Sequence, residues 1–336
     1  MKGLNNREQI DFFDYCTECF VGVRRVKKHE WGEQDDFPRS FQAVEREMSQ
    51  RNLVDKRKRF REIISSGASG SYFYFTPNRH YIVKSITRRE KETMLALAAS
   101  YQRHCEAHPG TAINYVGLYS IRLPLNTCKV YFVVMRNVLP KRKADATYDL
   151  KGATSNRQRV RGQRQAQLLS GERLPCTFST LLDKDWMALR ETLRLAEPVL
   201  ERLVATLAQD AVFLAEHGCI DYSILLGIAE GGVETAPQRG GARALVGQDG
   251  RGYYIGIIDI LERWRCKWVV QQHVLWFFFR VIACGQWYNP EGITAIPPKD
   301  YAARFVEFVL VEIARVRRAT LSPGSLASRG REGGLV

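Results

Sequence analysis

Residues 72–86 read "YFYFTPNRHYIVKSI", two β-forming runs separated by Pro77 and Asn78. Aromatic and β-branched residues on either side of a turn pair specify a hairpin, so the chain must build an antiparallel sheet here. Just before it stands "SSGASGS", residues 65–71, in which Gly67 and Gly70 open a turn that leads straight into the first strand. Further strands are expected at "YVGLYSIRL" and "KVYFVVMRNV", with one helical pattern, "EKETMLALAASYQRH", between the hairpin and this second pair. Residues 1 to about 60 mix charge with short apolar runs and read as helical.

After about residue 150 the pattern changes. The stretch "DWMALRETLRLAEPVLERLVATLAQDAVFLAEHG" places leucines and valines at helical spacing, interrupted only by Pro198, and Gly218 is a C-terminal stop. A Gly-rich loop follows within residues 230–252, then a last helix, "KDYAARFVEFVLVEIARVRRA", and a tail whose composition predicts disorder.

Lys84 stands between Ile82 and Ile86 on one face of its strand. An edge lysine that snorkels to water explains such a residue by itself. The glycine turn changes the reading, because backbone N–H groups at the turn and an ammonium below it can grip the same phosphates. Two carboxylates point the same way. Asp221, in "GCIDYSILLGI", precedes one apolar strand, and Asp259, in "YYIGIIDIL", closes another. If those strands pair antiparallel, the start of the first lies beside the end of the second, and both aspartates face one site. Two carboxylates opposite a phosphate-gripping lysine suit phosphoryl transfer: one orients or deprotonates a hydroxyl, and the other holds magnesium on the nucleotide.

An excess of 50 Lys and Arg over 36 Asp and Glu gives a net charge of +14 and implies an anionic partner. No nucleic-acid recognition motif accompanies that charge. No apolar run reaches the roughly 18–20 residues a membrane span needs, and the start lacks a signal-peptide core, so a cytoplasmic protein is expected. The eight cysteines are scattered and read as reduced structural thiols.

The segments "SGASGSYFYF", "YIVKSI", "VYFVVMRNV", "YDLKGATSNR", "IDYSILLGI" and "YIGIIDIL" occur in the order found in the phosphatidylinositol phosphate kinases, and residues 10–315 resemble their catalytic domain. The resemblance implies an α+β, two-lobed kinase-like fold, with an antiparallel sheet and helices in the N-terminal lobe and a mixed α/β C-terminal lobe. On that pattern residues 1–60 form a helical extension packing on the small lobe, 61–145 the small lobe, 146–318 the large lobe and 319–336 a disordered tail. It also implies ATP as phosphate donor, Mg2+ as cofactor, and a phosphoinositide on the cytosolic face of a membrane as acceptor. Ser66, Gly67, Ser69, Gly70 and Ser71 resemble the loop covering the nucleotide. Lys84 is similar to the lysine of the third strand, with Glu90 as its helix partner. Asp149 and Lys151 match the "DLKG" motif, whose lysine serves the nucleotide and phosphate site. Asp221 resembles the catalytic aspartate and Asp259 the metal-binding one.

Arg157 and Lys267 are the candidate lipid contacts, within basic clusters at 141–143, 157–164 and 263–267. Each Lys or Arg near an anionic surface adds about 1 kcal/mol of attraction. The chain departs from the family where a pair of adjacent lysines reads the headgroup: here Lys267 is followed by Trp268. In "TFSTLLDKDWM", Leu182 stands where the family has lysine. The aromatic stretch from Trp264 to Gly285 either inserts into a membrane boundary or packs in the larger lobe. The N-terminal helices either serve a homodimer or pack on the small lobe. Two alternatives accompany the lipid kinase, a weakly catalytic phosphoinositide-binding scaffold and a soluble inositol phosphate kinase. The choice between the 4- and 5-hydroxyl stays open.

Overall fold

The computed structural model describes residues 11–31, 37, 71–122, 129–140, 144–155, 157–162, 165, 180–230, 243–265, 268–269 and 296–315. Its first half comprises β1 (Asp11–Tyr15), α1 (Thr17–Trp31), β2 (Phe73–Phe75), β3 (Tyr81–Ile86), α2 (Arg88–Ala107), β4 (Tyr115–Arg122) and β5 (Lys129–Arg136). The strands form one antiparallel sheet in the order β1-β4-β5-β3-β2. The hairpin stands where the sequence puts it, with Phe73 opposite Lys84 and Phe75 opposite Ile82. α2 starts at Thr87, whose hydroxyl accepts the Glu90 N–H while the Glu90 carboxylate accepts the Thr87 N–H, a reciprocal capping box. Residues 11–15 differ from the helical expectation: "DFFDY" lies along β4 from Asp11↔Arg122 to Tyr15↔Leu118. α1 then packs on α2, and its fully buried Lys27 donates to the Thr111 carbonyl at 2.5 Å and to Asn114 Oδ1 at 3.2 Å.

The second half contains β6 (Ala146–Leu150), α3 (Asp183–Leu189), α4 (Glu197–Glu216), β7 (Cys219–Ile220), β8 (Ser223–Ala229), β9 (Leu245–Val246), β10 (Gly252–Ile258), β11 (Glu262–Arg263), α5 (Pro298–Phe308) and a π-helical turn, Val309–Ile313. A four-stranded antiparallel sheet runs β6-β8-β10-β9, and β11 pairs with β7. The helical stretch from residue 185 breaks earlier than the sequence suggests. Pro198 sits in the first turn of α4, where its missing N–H costs nothing and its fixed φ favours starting a new helix. The chain therefore leaves α3 at Arg190 with φ of 53° and crosses to Ala196 without helix, burying Leu193 and Leu195 on the way.

One apolar core joins the halves, running from Phe20 and Met94 through Leu150 and Ile224 to Phe305 and Ile313. A polar clasp crosses the same junction. The fully buried Asp210 of α4 accepts the Thr111 hydroxyl at 2.6 Å and the Ala112 N–H at 2.7 Å, and His104 Nε2 lies 2.6 Å away. The α+β, kinase-like organisation expected from the resemblance is borne out by this pair of sheets and their helices.

Candidate functional site

Leu150, Ile224 and Ile257 form one row across β6, β8 and β10. The residues just outside that row are Lys151 after β6, Asp221 before β8 and Asp259 after β10. Antiparallel pairing of β8 with β10 thus brings the aspartates to the same end of one ladder, as the sequence argument requires. Both leave regular structure through the left-handed region, with φ of 63° at Asp221 and 62° at Asp259. Asp tolerates that conformation better than most residues, because its short carboxylate can bond locally.

Each carboxylate carries a lysine. Lys84 Nζ lies 2.5 Å from Asp259 Oδ1, bridging the two sheets, and Lys151 Nζ lies 2.6 Å from Asp221 Oδ1. The lysine side chains are 8% and 11% exposed, whereas the aspartates are 43% and 36% exposed. The ammonium groups thus sit at the back of an open acidic front, a layout in which charge is held by the fold and the carboxylates remain reachable. Behind Asp259, burial first and the Asp259 charge second push the Tyr115 phenol far above its ordinary range and keep it protonated.

Arg157 links Asp149 to Asp183. Arg157 Nη2 donates to the Asp149 carbonyl at 2.5 Å and to its Oδ1 at 2.8 Å, while Arg157 Nε donates to Asp183 Oδ2 at 2.7 Å. Burial works to lower the Arg157 pKa, but Asp149 and Asp183 outweigh it and hold the guanidinium charged. Arg157, 14% exposed, thus ties Asp149 to Asp183. Glu90 caps the start of α2. The Glu90 carboxylate accepts the Thr87 N–H and hydroxyl, and the Lys84 ammonium donates to Asp259.

Sequence reasoning missed Asp183, Val138, Leu139, Gly227 and Gly256. The last two glycines lie on one face of the second sheet together with Leu225 and Ile258, both partly exposed. The segment linking β5 to β6 rests on that face: a Cβ on Gly256 would meet Val138 Cγ2 at 2.5 Å, and one on Gly227 would meet Leu139 Cδ2 at 2.7 Å. Two glycines in strands flanking Leu225 were the available signal, since strand glycines mark close approach of another segment.

Ser71 lies at the entry to the hairpin, where the Tyr72 N–H donates to Ser85 Oγ at 2.8 Å. Ser66, Gly67, Ser69, Gly70 and Lys267 lie outside the described residues, as do residues 270–285 of the aromatic stretch. Of that stretch, Trp264 and Trp268 pack against the core, and the Trp268 indole donates to Glu262 Oε1 at 3.0 Å.

Residues 54–249 and 233–311 match the family model described as Phosphatidylinositol-4-phosphate 5-Kinase. Similar proteins include a phosphatidylinositol 4-phosphate 5-kinase of Plasmodium falciparum, 28% identical over 74% of this chain and 15% of that protein. The kinase its3 of Schizosaccharomyces pombe, of the same name, is 31% identical over 50% of this chain and 21% of its own length. A type-1 beta phosphatidylinositol 4-phosphate 5-kinase of Gallus gallus is 32% identical over 50% of this chain and 29% of its own length. The chain thus spans less than a third of the length of these relatives. Both lysine–aspartate pairs fall inside the matched residues, and the chain belongs to the phosphatidylinositol-4-phosphate 5-kinase family.

Proposed function

We propose that this chain transfers the γ-phosphate of ATP to a ring hydroxyl of a phosphatidylinositol monophosphate at the cytosolic face of a membrane, the 5-hydroxyl of the 4-phosphate being favoured by the names of its relatives. The observation that carries this reading is the convergence of Lys84, Lys151, Asp221 and Asp259 on one end of a strand ladder. In it, Leu225 and Ile258 beside the linker seat the purine. Lys84 binds phosphate, Lys151 meets charge on the transferred group, and Asp221 orients the lipid hydroxyl and takes its proton. A loose, charge-rich transfer step needs mainly such positioning and electrostatic stabilisation.

Asp259 would hold magnesium. Exposed carboxylate oxygens are donors of the right kind, and one or two carboxylates together with nucleotide phosphates are the usual magnesium site. Consistent with a site completed by phosphates, no group of three or more metal-ligating side chains occurs among the described residues. When bound, the ion neutralises phosphate charge. Residues 61–145 and 146–318 would act as the two lobes closing on the nucleotide. The serines and glycines 66–71 would cover it, and Lys267 would meet the headgroup.

Labelled ATP and vesicles containing phosphatidylinositol 4-phosphate test the reading. Wild type is expected to form the bisphosphate, and Asp259→Asn is expected to lower turnover about 10²-fold or more, as loss of a charge-stabilising group does. No product from wild type, or undiminished product from Asp259→Asn, overturns it. Equal turnover of the headgroup without acyl chains would instead make the substrate a soluble inositol phosphate.

A further inference from the structure

Asp183 is fully buried and belongs to neither lysine–aspartate pair, yet it collects more donors than either aspartate there. Its Oδ1 accepts the N–H groups of Lys151 at 2.9 Å, Gly152 at 2.7 Å and Ala153 at 3.2 Å, while its Oδ2 accepts Arg157 Nε. Consecutive amides converging on one oxygen form an anion nest. Here the anion comes from the protein itself. The opposite side of the nest is closed as well. Gly152 has φ of 69°, and a Cβ on it would meet Phe308 Cβ at 3.1 Å and the Arg304 carbonyl at 3.3 Å. The Lys151 and Gly152 amides are thus held by Asp183, with Gly152 backed by α5, and the Lys151 ammonium reaches Asp221 from that origin.

We propose that Asp183 is a positioning residue for phosphoryl transfer: by gathering the amides of residues 151–153 it aims the Lys151 ammonium at Asp221. Displacements of about 1 Å at a reacting group cost on the order of 10²-fold in rate. A nest that sets the origin of Lys151 therefore acts on turnover without touching substrate. The neighbouring Asp185 supplies an internal control. It is also buried, and it accepts the N–H groups of Leu182, Arg159 and Val160, none of which bonds to Asp221 or Asp259. Both carboxylates staple the segment between β6 and α3, and only Asp183 touches Lys151.

This role rests on the phosphoryl-transfer reading above, and the test separates the two. With the full chain, labelled ATP and phosphatidylinositol 4-phosphate vesicles, Asp183→Asn is expected to lower kcat about 10²-fold at little change in KM for ATP. Asp185→Asn, matched to it in melting temperature, is expected to keep kcat within about threefold of wild type. In a Lys151→Met background, Asp183→Asn should lower kcat by no more than about threefold further, because the two changes remove one interaction. Equal kcat losses from Asp183→Asn and Asp185→Asn, or an undiminished loss in the Lys151→Met background, overturn the role. If Asp183→Asn does not fold, Asp183→Glu, which keeps the charge and moves it by one methylene, is judged by the same criteria. A wild type without transfer activity would sink the phosphoryl-transfer reading alone. Amide hydrogen exchange then decides: faster exchange at residues 151–153 in Asp183→Asn than in Asp185→Asn supports the nest, and equal exchange overturns it.

Discussion

Asp221 and Asp259 adopt the same left-handed backbone, φ 63° and 62°, at the joined ends of β8 and β10. For an L-residue that conformation costs about 1–2 kcal/mol, and Asp and Asn bear it best. The site thus keeps two carboxylates where the backbone alone would favour glycine. Asp221→Asn and Asp259→Asn should lower transfer about 10²-fold or more and also lower the melting temperature, since each leaves a largely buried lysine without its counter-charge. Valine at either position should lose about 1–2 kcal/mol of stability more than asparagine, since a β-branched residue is strained there. Thermal denaturation beside turnover separates the two effects; equal melting temperatures for the Asn and Val variants would refute the backbone argument.

Gly256 lets the linker lie on the second sheet. Gly256→Ala places a methyl 2.5 Å from Val138 Cγ2 and 3.4 Å from the Ala112 carbonyl. Overpacking of that kind costs about 1–3 kcal/mol. The variant should bind ATP more weakly in titrations, because Leu225 and Ile258 share that face. Adding Val138→Ala should recover most of the lost stability, which a purely conformational glycine effect would not allow.

The Asp210 clasp should be the most sensitive polar point between the halves. Asp210→Ala leaves Thr111, Ala112 and His104 without their acceptor in a buried site. Each orphaned buried donor costs about 1–3 kcal/mol, so a loss of about 3 kcal/mol or more is expected by chemical denaturation. Thr111→Val alone should cost much less.

Burial pushes the Cys219 thiol up to about 12 from an ordinary 9.0, against the pull of Arg263. The unfolded chain therefore loses this proton first. Its contribution is fully present below pH 9 and is lost as pH rises from there towards about 12. Cys219→Ala should flatten the decline of stability above pH 9. The native thiol should also resist iodoacetamide at pH 8 until the protein unfolds, as mass spectrometry of labelled peptides would show.

Much of the fold was legible because it rests on short-range pattern. The turn at Pro77 and Asn78 and the apolar runs before Asp259 and after Asp221 fix strands locally, and antiparallel pairing of the last two then follows. "DFFDY" misled because its helical and extended options are locally balanced, and only β4, about 100 positions away, decides between them. The helix after residue 185 misled because leucine spacing survives a chain break that Pro198 makes favourable.

The sequence by itself determined which residue types could serve phosphate chemistry and which strands would carry them. Tertiary structure decided who meets whom. Lys84 and Asp259, 175 positions apart, touch because two sheets share one core. Arg157 turns inward to Asp149 and Asp183, and Glu90 is held by Thr87 at the start of α2. Periodicity encodes which face of an element is buried, but charge partners are chosen by the proximity that burial imposes on distant segments, and no local pattern records that choice.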